Sequence, residues 1–273
     1  GLAFIGGIAV GTFQMIGALS FGLLAVFFLD TYRGLKLYTS PEFFERRYNS
    51  STRSLVSGGN VIMIMLATFS AALYAGAVVT LTLLGQSPDG TMLWTTVIIL
   101  GVLTGSYTLL GGLQAVMITD FVQNILLILG GLLTLVIDIA KVGGLDAIMA
   151  MQTIDGGSMW SLVHPIGHEF GWISILTGVV ILGIHGHCTD QDYIQRALSA
   201  RSSYHAKMGA IFAAFLKILA LFICAIPGVV AAKLFADMGL QLNQDQAYVS
   251  LMIEVLPMGF LGLALACLLA AIM

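Results

Sequence analysis

The residues able to do chemistry in this sequence are few, and most fall between Gly171 and Lys217. Lys217 lies inside the apolar run GAIFAAFLKILALFICAIPGVVA. About ten residues into a span of about 28, it reaches roughly 15 Å of depth, near the centre of a hydrocarbon core about 30 Å thick. An ammonium there is too deep to snorkel easily, so it needs a partner, a wet cavity or loss of its proton. Gln14, at mid-depth in the first apolar run, carries an amide that suits either a bond between helices or a contact to a solute. His185 and His187 are two residues apart; on a helix they point in different directions, which argues against a metal or haem pair on one face. Gly183 and Gly186 around them predict bent or unwound backbone, tolerated at that depth only where protein packs it or a cavity is lined. The segment is therefore expected to wall a solute site.

The next stretch, TDQDYIQRALSA, reads locally as capping. Thr189 is expected as an N-cap with Asp192 at the third helical position, and Asp192 and Arg196 as an i, i+4 pair on a short cytoplasmic helix. Asp120, at the cytoplasmic mouth of its segment, suits both a helix N-terminus and an ion path. Asp138 has Lys141 three residues on, which predicts a local surface pair. His164 and His168 have metal-compatible spacing only on a helix, and Pro165 and Gly167 predict an outer loop instead. No nucleophile and base stand together, so an intramembrane hydrolase has no support and no enzymatic activity is expected.

The elements that position these groups follow from composition. With 58% hydrophobic and 9% charged residues, the chain lies outside the range of soluble domains. Seven spans are predicted, at about 1–29, 54–84, 92–111, 119–140, 171–188, 208–235 and 251–273. Of the 11 basic residues, eight (Arg33, Lys36, Arg46, Arg47, Arg53, Arg196, Arg201, Lys207) lie in the linkers 30–53 and 189–207. The positive-inside rule makes those linkers cytoplasmic and starts residue 1 outside. Gly6, Gly7, Ala9 and Gly11 predict close helix contact in the first span. In TSPEFFERRY, Thr39 or Ser40 is expected to cap a helix begun by Pro41, with Glu42 in its first turn, lying on the membrane surface. Gly111 and Gly112 allow a tight turn. Cys188, Cys224 and Cys267 read as small core residues. Without an initiator Met or a cleavable leader, and with Met273 inside an apolar run, the chain is expected to be an internal fragment.

The motifs HCTDQDYIQRALSA and AKMGAIFAAFLKILALFICAIPGVVA, together with TSPEFFERRY and the set Tyr107, Gly111, Gly112, Ala115, Val116, Thr119, Asp120 and Gln123, resemble the sodium:solute symporter family, its sodium/glucose cotransporter branch in particular. The resemblance covers essentially the whole chain. Thr189, Asp190, Gln191, Gln195 and Arg196 carry the most specific part of it. It implies an all-α polytopic membrane protein of the leucine-transporter type, with two inverted repeats of five helices and solute near the midplane. The seven spans then become core helices two to eight of a single transmembrane domain. Its first repeat is about 1–141, lacking the first helix, and its second about 171–273, truncated.

The same resemblance makes Lys217 the branch's sugar-bonding lysine and puts Gln14 where the branch carries a glutamate. Gly186 and His187 stand where it has a Tyr-Trp pair that stacks on the sugar, and Asp120 matches an acidic position near the intracellular sodium exit. The best-known sodium ligands fall outside the chain, part of them just beyond Met273. Sodium-coupled symport of a sugar or polyol by alternating access is implied, in a multi-pass protein of the plasma (cell inner) membrane. The expected partners are a small-molecule solute, Na+ and lipid. No nucleic acid and no cofactor other than the coupling sodium ion are expected. Two alternatives stay open: a symporter of a carboxylate or amino-acid-like solute, with Lys217 as counter-charge, and a proton-relaying subunit of a redox pump.

Overall fold

A computed structural model describes residues 2–150, 158–167, 170–239, 244–257 and 259–262. The described residues are helical, with no strand beyond a single bridge between His164 and Gly171. Among the described residues, five helices are long and apolar enough to cross a membrane: α1 (Leu2–Gly34), α3 (Ser50–Leu83), α5 (Val116–Lys141), α6 (Trp172–Leu198) and α7 (Ser203–Asp237). A sixth candidate is α4 (Gly90–Ser106), continued by Thr108–Gln114 after a bend of 53°. Helix α2 (Ser40–Arg47) and helix α8 (Ala247–Val255) are shorter. Large apolar side chains stand outward, Leu55 at 77% and Leu66 at 74% exposure. Such surfaces are stable against lipid and not against water.

The first six predicted spans thus have helical counterparts, the third as the bent α4. The expected turn at the glycine pair is present: Gly112 has φ 59° and ψ −166°, inside what is otherwise continuous helix. Of the seventh span, α8 ends at Val255 just before Pro257, which cannot continue a helix. Most of the remainder, like His168, lies outside the described residues.

Residue contacts divide the chain into two compact units, one of 8–65 and 161–221, the other of 1–7, 66–160 and 222–273. In the first, Phe21, Leu24, Ala25 and Leu29 of α1 pack with Cys188, Ala206 and Ala210. Gly11 lets α1 approach α7 closely: a Cβ there would lie 1.9 Å from Leu221 Cδ1. The helices are not uniform, for wider π-type turns occur at Leu24–Phe28, Ile175–Val179 and His185–Thr189, a feature frequent at functional sites.

The C-terminal ends of α1 and α6 are tied together. Tyr32 Oη donates to Cys188 O (3.0 Å), and Arg33 to Ala197 O (3.4 Å) and Leu198 O (3.2 Å). Helix α2 is anchored to its neighbours. Ser40 is 4% exposed, its hydroxyl donates to Thr189 O (2.5 Å) and its N–H to Gln191 Oε1 (2.6 Å). Phe43 packs on Tyr32 with ring centroids 5.8 Å apart. Thr39 is the N-cap but makes no side-chain cap; Glu42 accepts from Tyr38 N (2.8 Å) and pairs with Arg46 (2.5 Å). That backbone N–H, with Arg46 beside it, holds the Glu42 carboxyl below its ordinary range.

In the second unit Val79, Val249, Met252 and Leu256 form a core joined by Ile137 and Tyr248. Gly7, at φ 65°, brings its backbone so near Met159 that a Cβ would fall 2.3 Å from the Met159 carbonyl oxygen; only glycine fits both the angle and the space. The expected surface pair of Asp138 and Lys141 is overturned here. Asp138 has no exposed surface, both its oxygens lack a hydrogen-bond partner, and Lys141 Nζ donates to Glu254 O at 3.0 Å. The sequence spacing sees only one helix, while α8 supplies the carbonyl that captures the lysine.

Candidate solute site

Helix α1 presents Gln14, Gly17 and Phe21 at i, i+3 and i+7, one face of a helix. Gly17 is the close-approach point. A Cβ there would lie 3.2 Å from His187 Cε1, 3.4 Å from His187 Nε2 and 3.5 Å from Lys217 Cδ. One glycine therefore has α6 and α7 both leaning on it, and it brings together the three polar residues singled out from the sequence. One turn away, Gln14 Oε1 is buried without a hydrogen-bond partner.

The His187 ring has a defined orientation. Its Nδ1 lies 2.9 Å from Gly183 O; a carbonyl only accepts, so Nδ1 carries the proton and, in the neutral ring, Nε2 is an acceptor. Nε2 is also the nitrogen nearer Gly17, and Lys217 is within electrostatic reach of the ring. Phe21 meets His187 edge to face at 4.6 Å, and Tyr193 lies 5.0 Å from His187 and 5.5 Å from Phe21. Where the resemblance leads one to expect Tyr-Trp at 186 and 187, a three-ring cluster occurs, assembled from α1 and α6. Donors, acceptors and an aromatic surface are thus adjacent.

Of the bent or unwound backbone expected around the histidines, the unwinding is not present. The backbone stays helical through Gly183 and widens to a π-type turn over His185–Thr189. Gly183 is explained by packing, since a Cβ would meet Ile16 Cγ2 at 2.7 Å and Ser20 Oγ at 3.0 Å. Gly186 faces open space, and His185 is exposed, its carbonyl accepting from Thr189 Oγ1 at 2.9 Å. Thr189 is consequently not the N-cap. Asp190 takes that place, with backbone φ −69° and ψ 135°, and accepts from Asp192 N at 3.2 Å. The Asp192–Arg196 pair forms as expected, at 2.5 Å. Gln191 bonds Ser40 and Gln195, so these motif residues bind protein, not solute. Asp120 belongs to the other unit, on α5, where its carbonyl accepts from Asn124 Nδ2 (2.7 Å).

Sequence reasoning missed Gly17, Phe21 and Tyr193. The signal for the first two was present as the i+3 and i+7 positions from Gln14, whereas Tyr193 reaches the cluster only through the turn after His187.

Comparison with known proteins places this arrangement. The chain is 31% identical to a sodium/myo-inositol cotransporter 2 of Sus scrofa over 98% of its length and 43% of the relative's. It is 27% identical to a sodium/glucose cotransporter 4 of Danio rerio over 98% of its length and 45% of the relative's. The chain thus spans less than half the length of the curated relatives it matches. Among solved structures, the substrate-bound outward-open state of a Na+-coupled sialic acid symporter superposes with a TM-score of 0.76 at 22% identity, covering 99% of this chain and 58% of that one. The fold is accordingly of the leucine-transporter type, in an integral multi-pass membrane protein. The profile of the sodium:solute symporter family matches residues 1–273, and the chain belongs to that family.

Proposed function

We propose that the full-length protein is a sodium-driven symporter of a small, uncharged, polyhydroxylated solute, a sugar or polyol, working by alternating access in the plasma (cell inner) membrane. The observation that carries this reading is the buried, unpartnered Gln14 Oε1 beside His187 and Lys217. An acceptor left unsatisfied calls for a donor. A polyol supplies O–H donors and oxygen acceptors together, which suits Gln14 and His187 Nε2 as acceptors and Lys217 as donor. A carboxylate offers acceptors only, and would answer Lys217 while leaving Gln14 unmet. Phe21, His187 and Tyr193 offer apolar faces to the C–H side of a ring.

The likeness to sodium/myo-inositol and sodium/glucose cotransporters supports the same solute class. Sodium entry drives the cycle, each charge contributing roughly 2.3 kcal/mol per 100 mV of membrane potential. Asp120 eases ion release at the cytoplasmic mouth. Gly183 and Gly186 shape the helix that bears His187. Residues 1–141 form the first inverted repeat without its first helix, and 171–273 part of the second, within one transmembrane domain. No covalent chemistry is involved.

Radiolabelled myo-inositol uptake by the full-length protein in proteoliposomes tests the proposal. An inward sodium gradient should drive uptake, glucose should compete more strongly than sialic acid, and Lys217→Ala should lower uptake at least tenfold. Sodium-independent uptake, or competition by the carboxylate alone, would refute it.

A further inference from the structure

Asp138 is the group in the described structure that the solute site leaves unexplained. It sits in the last turn of α5, three residues before Lys141, with no exposed surface and with neither oxygen hydrogen-bonded. A buried carboxylate without partners is among the costliest groups in a fold. Its position adds to the cost, because a helix C-terminus is the negative end of the macrodipole and repels an anion. The same two facts make the place favourable for a cation.

The neighbouring groups do not neutralise it. Lys141 is within electrostatic reach, but its ammonium donates to Glu254 O. On α7, Lys233 is paired with Asp237 at 2.9 Å; on α3, Tyr74 bonds Asp245 at 3.2 Å. Tyr248 of α8 is within electrostatic reach of Asp138 and of Cys224 of α7. Thr134, one turn before Asp138 on the same face, is also fully buried. Its hydroxyl hydrogen is committed to Gly130 O at 2.8 Å, which leaves its oxygen lone pairs available. Two turns before Asp138, Gly131 lines a cavity of about 240 Å³ whose wall includes Leu127, Ile223 and Tyr248. That cavity reaches Tyr248, which is within electrostatic reach of the carboxylate.

We propose that Asp138, with Thr134, is a monovalent-cation site near the outer end of α5, in addition to any site that serves Asp120. Hard oxygen ligands suit sodium, and a carboxylate also takes a proton. This inference rests on the reading of the protein as a cation-coupled symporter.

The test uses purified full-length protein in detergent, wild type against Asp138→Asn, with two readouts: ²²Na+ bound at saturation by scintillation proximity, and protons taken up during an acid titration with an indicator dye. The variant should bind one sodium fewer per protein if the cation is sodium, or take up one proton fewer while sodium binding is unchanged if it is a proton. Equality with wild type in both readouts overturns the proposal. Should Asp138→Asn not be recovered folded, Asp138→Glu replaces it. A rise of about tenfold or more in the sodium concentration for half-saturation, as for a displaced ligand, or a displaced proton-uptake curve supports the site; unchanged curves overturn it. Wild-type protein that binds no ²²Na+ and shows no sodium-driven uptake overturns the symporter reading and this inference with it. Sodium binding identical in wild type and variant, with identical proton uptake, removes Asp138 alone.

Discussion

Replacing Gln14 by methionine separates a solute contact from a bond between helices. The substitution keeps an unbranched side chain of similar length and deletes the buried Oε1 that has no hydrogen-bond partner. Leaving such an acceptor unsatisfied costs about 1–3 kcal/mol, so the solute-free variant should be more stable than wild type by a similar amount. At roughly 2 °C per kcal/mol for a large chain, its thermal midpoint should rise by about 2–6 °C. Solute binding should move the other way. Loss of one hydrogen bond at the upper end of the usual range, about 1.4 kcal/mol, weakens binding tenfold. At a solute concentration 100 times the wild-type Kd, ligand stabilisation then falls from about 2.7 to about 1.4 kcal/mol. Dye-monitored unfolding of detergent-purified full-length protein, with and without myo-inositol, reads both quantities. A variant less stable than wild type, with its full solute-induced shift retained, would refute the reasoning and make Gln14 an interhelical bond.

Gly183 and Gly186 should differ sharply. Gly183→Ala forces a Cβ to within 2.7 Å of Ile16 Cγ2 and 3.0 Å of Ser20 Oγ, and should lose about 1–3 kcal/mol of stability by overpacking. Gly186→Ala meets nothing within 4 Å and should leave the thermal midpoint unchanged; equal effects in the two variants would contradict the packing. Glu42→Gln should alter the pH profile of stability. A carboxyl held below its ordinary range contributes stability above its unfolded value, near 4.5, and loses it as pH falls through the lower folded value. Wild type should therefore be the more stable near neutral pH, and the two profiles should converge on the acid side; parallel profiles would remove Glu42 from the account.

The membrane spans were legible because burial in lipid leaves so strong a compositional mark, and Lys217 was legible because a charge breaks it. What could not be read were relations between helices. Gln14, His187 and Lys217 meet over Gly17, a residue with no chemistry of its own, and glycine spacing along α1 does not reveal which neighbours press on it. Asp138 shows the opposite failure. Its spacing to Lys141 suggests a surface pair, yet the partner carbonyl comes from Glu254, more than a hundred residues away in the chain. The Thr189 cap failed for a smaller reason: the π-type turn carries the helix one residue further, so that Asp190 becomes the first residue with extended backbone.

The bonds at the C-terminal ends of α1 and α6 bear on how these helices can move. Tyr32 and Arg33 reach across to the carbonyls of Cys188, Ala197 and Leu198, and Ser40 clamps Thr189 and Gln191. Swinging α6 away from α1 would break all of these at once, at roughly 0.5–1.5 kcal/mol for each neutral bond and more for those of the arginine. The two helices are therefore geared to turn as one lever, with Gln14, Phe21 and His187 riding on the same arm. Helix α7 is held to the same lever, with Lys207 paired to Asp30 of α1 at 2.6 Å and Ala206 and Ala210 packed against it, so Lys217 travels with Gln14, Phe21 and His187.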